Sequence, residues 1–170
     1  MTGIMFWNVH KNKSIDPILQ DAILEKGCNI LILAEYDNNP TNLCNQLSLN
    51  NKDFYEIPII GCNRIKIIAQ KGYSVEIITD SQYYTIHNFK FIGKQILIAS
   101  LHFPSKLHSS SDDAVALSNQ MVNDISEAES KVGHSNTIIV GDFNANPFEE
   151  MCINANCFHA IPSAKESKKV

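Results

Sequence analysis

The sequence predicts an α/β fold built on mixed β-sheet. Apolar, β-branched runs alternate with amphipathic stretches of helical period along much of the chain, which is the pattern of α/β proteins. The middle of the chain differs, because several strand-like runs follow one another there with only short turns between them. Strands joined by short turns pair antiparallel, so the sequence indicates a mixed rather than a purely parallel sheet.

The first part of the chain contains two predicted strands, each followed by a helix. The apolar strands span residues 4–10 and 29–37, and the second stops at an acid. The first helix has Pro17 in its first turn and Gly27 as its stop, which are the preferred positions of these two residues. A weaker helical pattern covers residues 41–49.

The second part contains a series of strands, a long helix and a last strand. Lys71-Gly72 and Asp80-Ser81 are predicted hairpin turns. The long helix is capped by Asp112 or Asp113 and ends near Gly133. Seven strands are predicted in all, the last five of them at residues 65–70, 73–79, 83–89, 95–101 and 137–140.

Four of the predicted strands end at polar side chains. In chain order these are Asn8, Glu35, His102, and Asp142 together with Asn144. The last two belong to the segment Gly-Asp-Phe-Asn, which read alone is equally typical of a turn. The period of two along a strand predicts that Asp142 and Asn144 point the same way. Because ligands collect at strand ends in α/β folds, the ordered set indicates a functional site.

The order of these motifs resembles the endonuclease/exonuclease/phosphatase superfamily, which includes deoxyribonuclease I-like and exonuclease III-like enzymes. The motifs are Trp-Asn at 7–8, Leu-Ala-Glu at 33–35, Leu-His-x-Pro at 101–104 and Gly-Asp-Phe-Asn-Ala-Asn-Pro at 141–147. The resemblance runs from about Met5 to about Phe148. It implies two mixed β-sheets packed face to face with helices outside, and a Mg²⁺-dependent phosphoesterase that hydrolyses phosphodiester bonds as a nuclease does.

The resemblance and the side-chain chemistry together assign roles to five residues. Glu35 is the predicted ligand of Mg²⁺ or Mn²⁺, and Asn8 either ligates the ion as well or supports Glu35 and the water around it. Asp142 orients the attacking water and Asn144 holds that water or a phosphate oxygen. His102 donates a hydrogen bond to a phosphate oxygen. The alternatives are an exposed acid for Glu35, a turn cap for Asn8 and an ordinary rim histidine for His102.

Other polar residues near these motifs are weaker candidates. His10 lies two residues after Asn8 and is either a base or a rim histidine. Lys11 and Lys13 are candidates for phosphate contact or for solvated surface, and Asp37 for a second acid near the metal. The remaining histidines are assigned to loops or to the surface: His87, His108, His134 and His159.

Composition limits the classes of partner. With 170 residues the chain is long enough for one domain with a real core. A formal net charge of −4 excludes a global basic field for nucleic acid, which makes duplex DNA a less favoured substrate. Five cysteines without a Cys-x-x-Cys pair indicate reduced thiols in a cytoplasmic protein rather than a structural zinc site. No apolar run approaches the length of a membrane span.

The chain departs from the superfamily in one respect. The resemblance implies a late Ser-Asp-His motif, which this sequence lacks, and only 26 residues follow Asn144. We therefore expect residues 1–170 to be an N-terminal portion of a single domain, incomplete at its C-terminus and completed by a further segment or a second chain. Very slow hydrolysis is expected from these residues alone. The alternative function is a truncated or degenerate member that acts only as a metal- or partner-binding domain.

Overall fold

The computed structural model describes residues 2–161, which form four layers. Two four-stranded mixed sheets pack face to face, and helices cover the outer face of each. The predicted fold class is therefore confirmed. The elements in chain order are β1 Ile4–Asn8, α1 Asp16–Lys26, β2 Ile30–Ala34, α2 Pro40–Ser48, β3 Phe54–Ile57, β4 Ile65–Gln70, β5 Ser74–Asp80, β6 Tyr84–Phe91, β7 Lys94–His102, α3 Ser111–Val132, β8 Thr137–Asp142 and α4 Glu150–Ile153.

The order and direction of the strands bring the ends of four strands and the beginnings of two others to one edge of the sandwich. The first sheet has the order β1-β2-β4-β3, with β1 parallel to β2 and β4 antiparallel to β2. The second has the order β5-β6-β7-β8, with β6 antiparallel to β7 and β8 parallel to β7. The ends of β1, β2, β7 and β8 therefore share one edge with the beginnings of β4 and β6.

Three apolar layers hold the sandwich together. α1 and α2 cover the first sheet, α3 and α4 cover the second, and the inner faces of the two sheets meet in the middle. Side chains alternate between layers along each strand, as the strand period requires. Fully buried examples are Leu19, Leu31 and Leu43 in the first layer, Ile32, Ile67 and Ile98 in the middle, and Leu97, Leu101 and Met121 in the third.

The glycine of Gly-Asp-Phe-Asn is required by the packing of β7 against β8. Gly141 pairs with Leu101 across the ladder, and a Cβ atom at Gly141 would lie 2.0 Å from the Leu101 carbonyl oxygen. No side chain fits at that distance. The motif therefore carries glycine so that β8 can approach β7 closely and deliver Asp142 beside His102.

Three predictions about local elements were wrong in detail. The structure contains an eighth strand, the four-residue β3, which is too short to show a clear period. Lys71-Gly72 is no hairpin, because the chain crosses there from the first sheet to the second. The cap of α3 is Ser110, whose hydroxyl accepts the Asp113 N–H while the Asp113 carboxylate accepts the Ser110 N–H, so Asp113 is the third residue of a capping box.

His87 is the one histidine whose predicted surface position was clearly wrong. It lies in the middle of β6, is fully buried and faces the inter-sheet layer. Burial lowers the pKa of His87 to about 4, and the Asp80 carboxylate opposes this effect. The imidazole is therefore neutral at pH 7.

β1 and β8 each pair with a neighbour on one side only within residues 2–161. The expectation that a further segment or a second chain completes the sheets stays a prediction. All five cysteines are buried and unpaired. No helix of the described part of the chain is long and apolar enough to cross a bilayer.

Candidate active site

Three residues from each sheet face one another at the shared edge. They line a cavity of about 670 Å³ that opens to solvent between the two sheets. The first sheet contributes Asn8 at the end of β1, Glu35 after β2 and Arg64 before β4; the second contributes Asp142 at the end of β8, His102 at the end of β7 and Tyr83 before β6.

Asn8 lies at the centre of the polar part of this cavity. Its Nδ2 donates to Glu35 Oε1 at 3.2 Å and to Asp142 Oδ2 at 2.9 Å, so one amide nitrogen joins a carboxylate from each sheet. Its Oδ1 accepts the backbone N–H of His10 at 3.0 Å. Asn8 is thus placed to hold the two carboxylates together, and one lone pair of its oxygen remains for a ligand.

The backbone at the site takes a conformation that side chains rarely adopt. Glu35 has φ +52°, and His10, Lys11 and Asn144 also lie in the left-handed region. Such a φ is uncommon outside glycine, and strained residues of this kind cluster at functional sites. The backbone N–H of Glu35 donates to the Arg64 carbonyl at 3.4 Å and that of Lys11 to the Glu35 carbonyl at 3.0 Å, which holds the loop in place.

Asp142 and Asn144 both line the cavity, though not for the predicted reason. β8 ends at Asp142, so strand alternation does not reach Asn144. Instead Asn144 has φ +50° and its backbone N–H donates to Asp142 Oδ1 at 3.0 Å. The Asn144 Nδ2 donates to the Phe103 carbonyl at 2.8 Å, which leaves the amide oxygen and one N–H for a ligand.

His102 is buried, with 6% of its surface exposed. Its Nε2 lies 3.6 Å from Glu35 Oε1, which is too long for a hydrogen bond and is an ion pair only when the ring is protonated. Its Nδ1 is buried and has no hydrogen-bond partner among the described residues. Neither ring nitrogen thus forms a hydrogen bond within residues 2–161, which leaves both for a ligand.

The structure brings all five predicted site residues together, while their chemical roles stay predictions. His10, Lys11 and Asp37 also line the cavity, whereas Lys13 does not. His108 lines it too, although it was assigned only to a loop or the surface.

Sequence reasoning missed Arg64 and Tyr83. The Arg64 guanidinium carbon lies 5.0 Å from the centre of the Tyr83 ring, so this pair bridges the two sheets as Glu35 and His102 do. The signal that could have found them is their position just before a strand that runs antiparallel to its neighbour. Such a strand begins at the edge of the sheet where its neighbour ends.

The donor set fits a hard divalent cation. The Glu35 and Asp142 carboxylates share the Asn8 nitrogen as a hydrogen-bond donor, and oxygen is the donor that Mg²⁺ prefers. No group of three or more His, Cys, Asp or Glu side chains with metal-binding geometry occurs in residues 2–161. Two carboxylates suffice for Mg²⁺, because this ion keeps several of its waters.

Solved structures of similar fold support the resemblance. Neither a family model nor a curated protein sequence matches the chain. Truncated TDP2 from Caenorhabditis elegans matches with a TM-score of 0.63 at 17% identity, over 86% of this chain and 63% of that one. The endonuclease domain of TRAS1, a telomere-specific non-LTR retrotransposon, matches with a TM-score of 0.60 at 12% identity, over 86% of this chain and 60% of that one. Sphingomyelinase C from Streptomyces griseocarneus matches with a TM-score of 0.65 at 11% identity, over 90% and 68%.

At these low identities, the structural similarity establishes the fold alone. The chain spans less than two thirds of the TDP2 and TRAS1 chains. The two sheets, the strand order and the neighbours agree with the motifs in the sequence. The chain therefore has the fold of the endonuclease/exonuclease/phosphatase superfamily.

Proposed function

We propose that this chain provides a Mg²⁺-dependent phosphoesterase site that hydrolyses phosphodiester bonds by attack of water. The observation that carries the proposal is the Asn8 amide shared between the Glu35 and Asp142 carboxylates. Two carboxylates joined through one neutral donor form an anionic centre, and a divalent cation would relieve their repulsion. A TDP2 from D. rerio has been solved with a single-stranded DNA product, which supports nucleic acid as one candidate substrate.

Each side chain contributes one function in this proposal. Glu35 and Asp142 would hold the cation, which supplies charge neutralisation for the phosphate. Asp142 would accept a hydrogen bond from the attacking water and so orient it. The free amide oxygen of Asn144 would accept a second hydrogen bond from the same water. His102 donates from a ring nitrogen to a phosphate oxygen and so stabilises the charge that develops there. A reducing, cytoplasmic setting is part of the proposal and is supported by the five unpaired thiols.

Hydrolysis of bis(4-nitrophenyl) phosphate with and without Mg²⁺ tests this proposal. Asp142→Asn keeps the size and hydrogen bonding of the side chain but removes its charge, so activity should fall by roughly 10²- to 10⁴-fold. Asp53→Asn is the matched control, because Asp53 is exposed and pairs with Lys71 outside the cavity. Turnover that survives EDTA, or equal activity in the two variants, would contradict the proposal.

The alternative is a metal- or partner-binding domain without turnover. The donor set of only two carboxylates favours it, because few protein ligands would then hold the cation. Calorimetric titration of Mg²⁺ and Mn²⁺ against wild type and Glu35→Gln separates the two functions. Metal binding that weakens in Glu35→Gln, together with no hydrolysis by wild type, would support the alternative.

A further inference from the structure

The edge of the sandwich carries three cross-sheet pairs in a row, of which the proposed chemistry uses two. The pairs Asn8–Asp142 and Glu35–His102 belong to the proposed catalytic centre. The third pair, Arg64–Tyr83, joins the same two sheets on the far side of Glu35–His102 and lines the same cavity. It has no part in the steps proposed above.

The third pair is tied directly to the second by the backbone. The Glu35 N–H donates to the Arg64 carbonyl at 3.4 Å, and the His102 N–H donates to the Tyr83 carbonyl at 2.9 Å. Adjacent strands lie about 5 Å apart, so the Arg64–Tyr83 pair is one strand spacing away from the Glu35–His102 pair. A substrate phosphate at the catalytic centre would therefore have the Arg64 side chain beside it.

Arg64 differs from the other cations of this cavity in burial and in ion pairing. Lys66 lies 3.8 Å from the Glu56 carboxylate, and Lys11 is exposed. Arg64 forms no ion pair with any acid in residues 2–161. It is half-buried, and the ring of Tyr83 supports its guanidinium at 5.0 Å.

A guanidinium held against an aromatic ring is suited to one class of ligand. The contact with the ring leaves the N–H groups at the edge of the guanidinium plane free to donate, and their fork matches two oxygens of a phosphate. The ring also limits the rotamers of the long side chain, so less entropy is lost when a ligand binds. The chain as a whole has a net charge of −4, so the local cation rather than a global field would attract an anion here.

We propose that Arg64, supported by Tyr83, binds the phosphate next to the scissile one, so that the site favours a nucleic acid strand over a diester with a single phosphate. This inference rests on the proposed function, since it takes the Asn8–Glu35–Asp142 centre as the place of the scissile phosphate. Arg64 is then a residue that determines specificity, and Tyr83 positions it.

Binding of fluorescein-labelled hexathymidylate to the full chain in EDTA tests the inference without hydrolysis. Arg64→Gln should weaken binding about tenfold or more, as expected for a lost charge-assisted contact. The slope of log K against log salt should shrink by about 0.7, the value for one phosphate contact of a single strand. Lys94→Gln is the matched control, because Lys94 is exposed at the opposite end of β7 from His102.

Two further variants separate a ligand contact from a purely structural pair. Arg64→Lys keeps the charge but loses the planar fork, so it should retain the salt slope and lose part of the affinity. Tyr83→Phe keeps the aromatic support and should bind as wild type does, whereas Tyr83→Leu should bind more weakly. A structural pair would lower the melting temperature in Arg64→Gln and leave the salt slope unchanged, which would overturn the inference.

The hydrolysis assay distinguishes the failure of this inference from the failure of the proposed function. With Mg²⁺, Arg64→Gln should reduce kcat/KM for hexathymidylate about tenfold or more, and should reduce kcat/KM for bis(4-nitrophenyl) phosphate by a clearly smaller factor, because that diester has no second phosphate for Arg64 to bind. Wild type that cleaves the small diester but does not bind hexathymidylate overturns the inference and keeps the proposed function. Binding of hexathymidylate through Arg64 without any hydrolysis keeps the binding site and overturns the proposed function.

Discussion

Asn8 offers a direct way to test whether the two carboxylates form a cation site. Asn8→Asp has the same shape but replaces the shared N–H donor by a third carboxylate. The bonds to Glu35 Oε1 and Asp142 Oδ2 are lost, and three like charges then face one another. Without metal the variant should be less stable than wild type, and with metal it should recover.

The size of the loss follows from the contacts. A hydrogen bond to a charged group contributes about 1.5–3 kcal/mol, and Asn8 is only half-buried, so the lower value applies to each of its two bonds. The loss is therefore about 3 kcal/mol before repulsion is counted. A domain of this size changes its melting temperature by about 2–4 °C per kcal/mol, so Asn8→Asp in EDTA should melt about 10 °C below wild type.

Thermal unfolding in EDTA and in saturating Mg²⁺ measures both effects. A ligand at 100 times its dissociation constant stabilises the folded state by about 2.7 kcal/mol, so Mg²⁺ should restore most of the loss. Asn38→Asp is the matched control, because the Asn38 Nδ2 also donates to a carboxylate, Asp16 Oδ1 at 2.9 Å, but outside the cavity. A melting temperature in EDTA equal to that of wild type would show that the two Asn8 hydrogen bonds do not stabilise the fold. A Mg²⁺-induced rise no larger than that of Asn38→Asp would contradict the cation site.

Two further substitutions test the packing around the site. Gly141→Ala places a Cβ atom 2.0 Å from the Leu101 carbonyl oxygen, so urea unfolding should show a loss above about 3 kcal/mol. Gly133→Ala, which meets open space at φ +76°, should lose only about 1–2 kcal/mol; equal losses would contradict the argument. The pKa of His87 is about 4 when folded and about 6.5 when unfolded, so only the unfolded chain gains this proton between those values. Wild type should therefore lose up to about 3 kcal/mol as pH falls from 6.5 to 4, and His87→Gln should show a flatter dependence; parallel curves would exclude His87 as the cause.

Local patterns in the sequence determined most of the elements. Gly27 ends α1 with φ +63° and Gly133 ends α3 with φ +76°, since a left-handed C-terminal residue is easy only for glycine. Apolar runs marked seven of the eight strands. The short β3 escaped because its four residues have no resolvable period.

Polar residues at the ends of apolar strands account for four of the six residues that the two sheets contribute to the site. A strand that runs into the core from one side must leave it at the other, and its first polar residue then lies at that edge. This reasoning applies to Asn8, Glu35, His102 and Asp142. It holds because burial of the preceding apolar run fixes the edge of the sheet at which the polar residue lies.

Pairing between strands decided what the local pattern could not. Arg64 and Tyr83 precede strands that run antiparallel to β2 and β7, and no pattern within either segment indicates which strand it joins. The burial of His87 has the same origin, because that face of β6 is buried only when the second sheet packs against the first. Local burial and backbone preference fix which residues leave each strand, and both can be read along the chain. Strand order fixes which of those residues meet, because contacts between distant segments do not depend on local period.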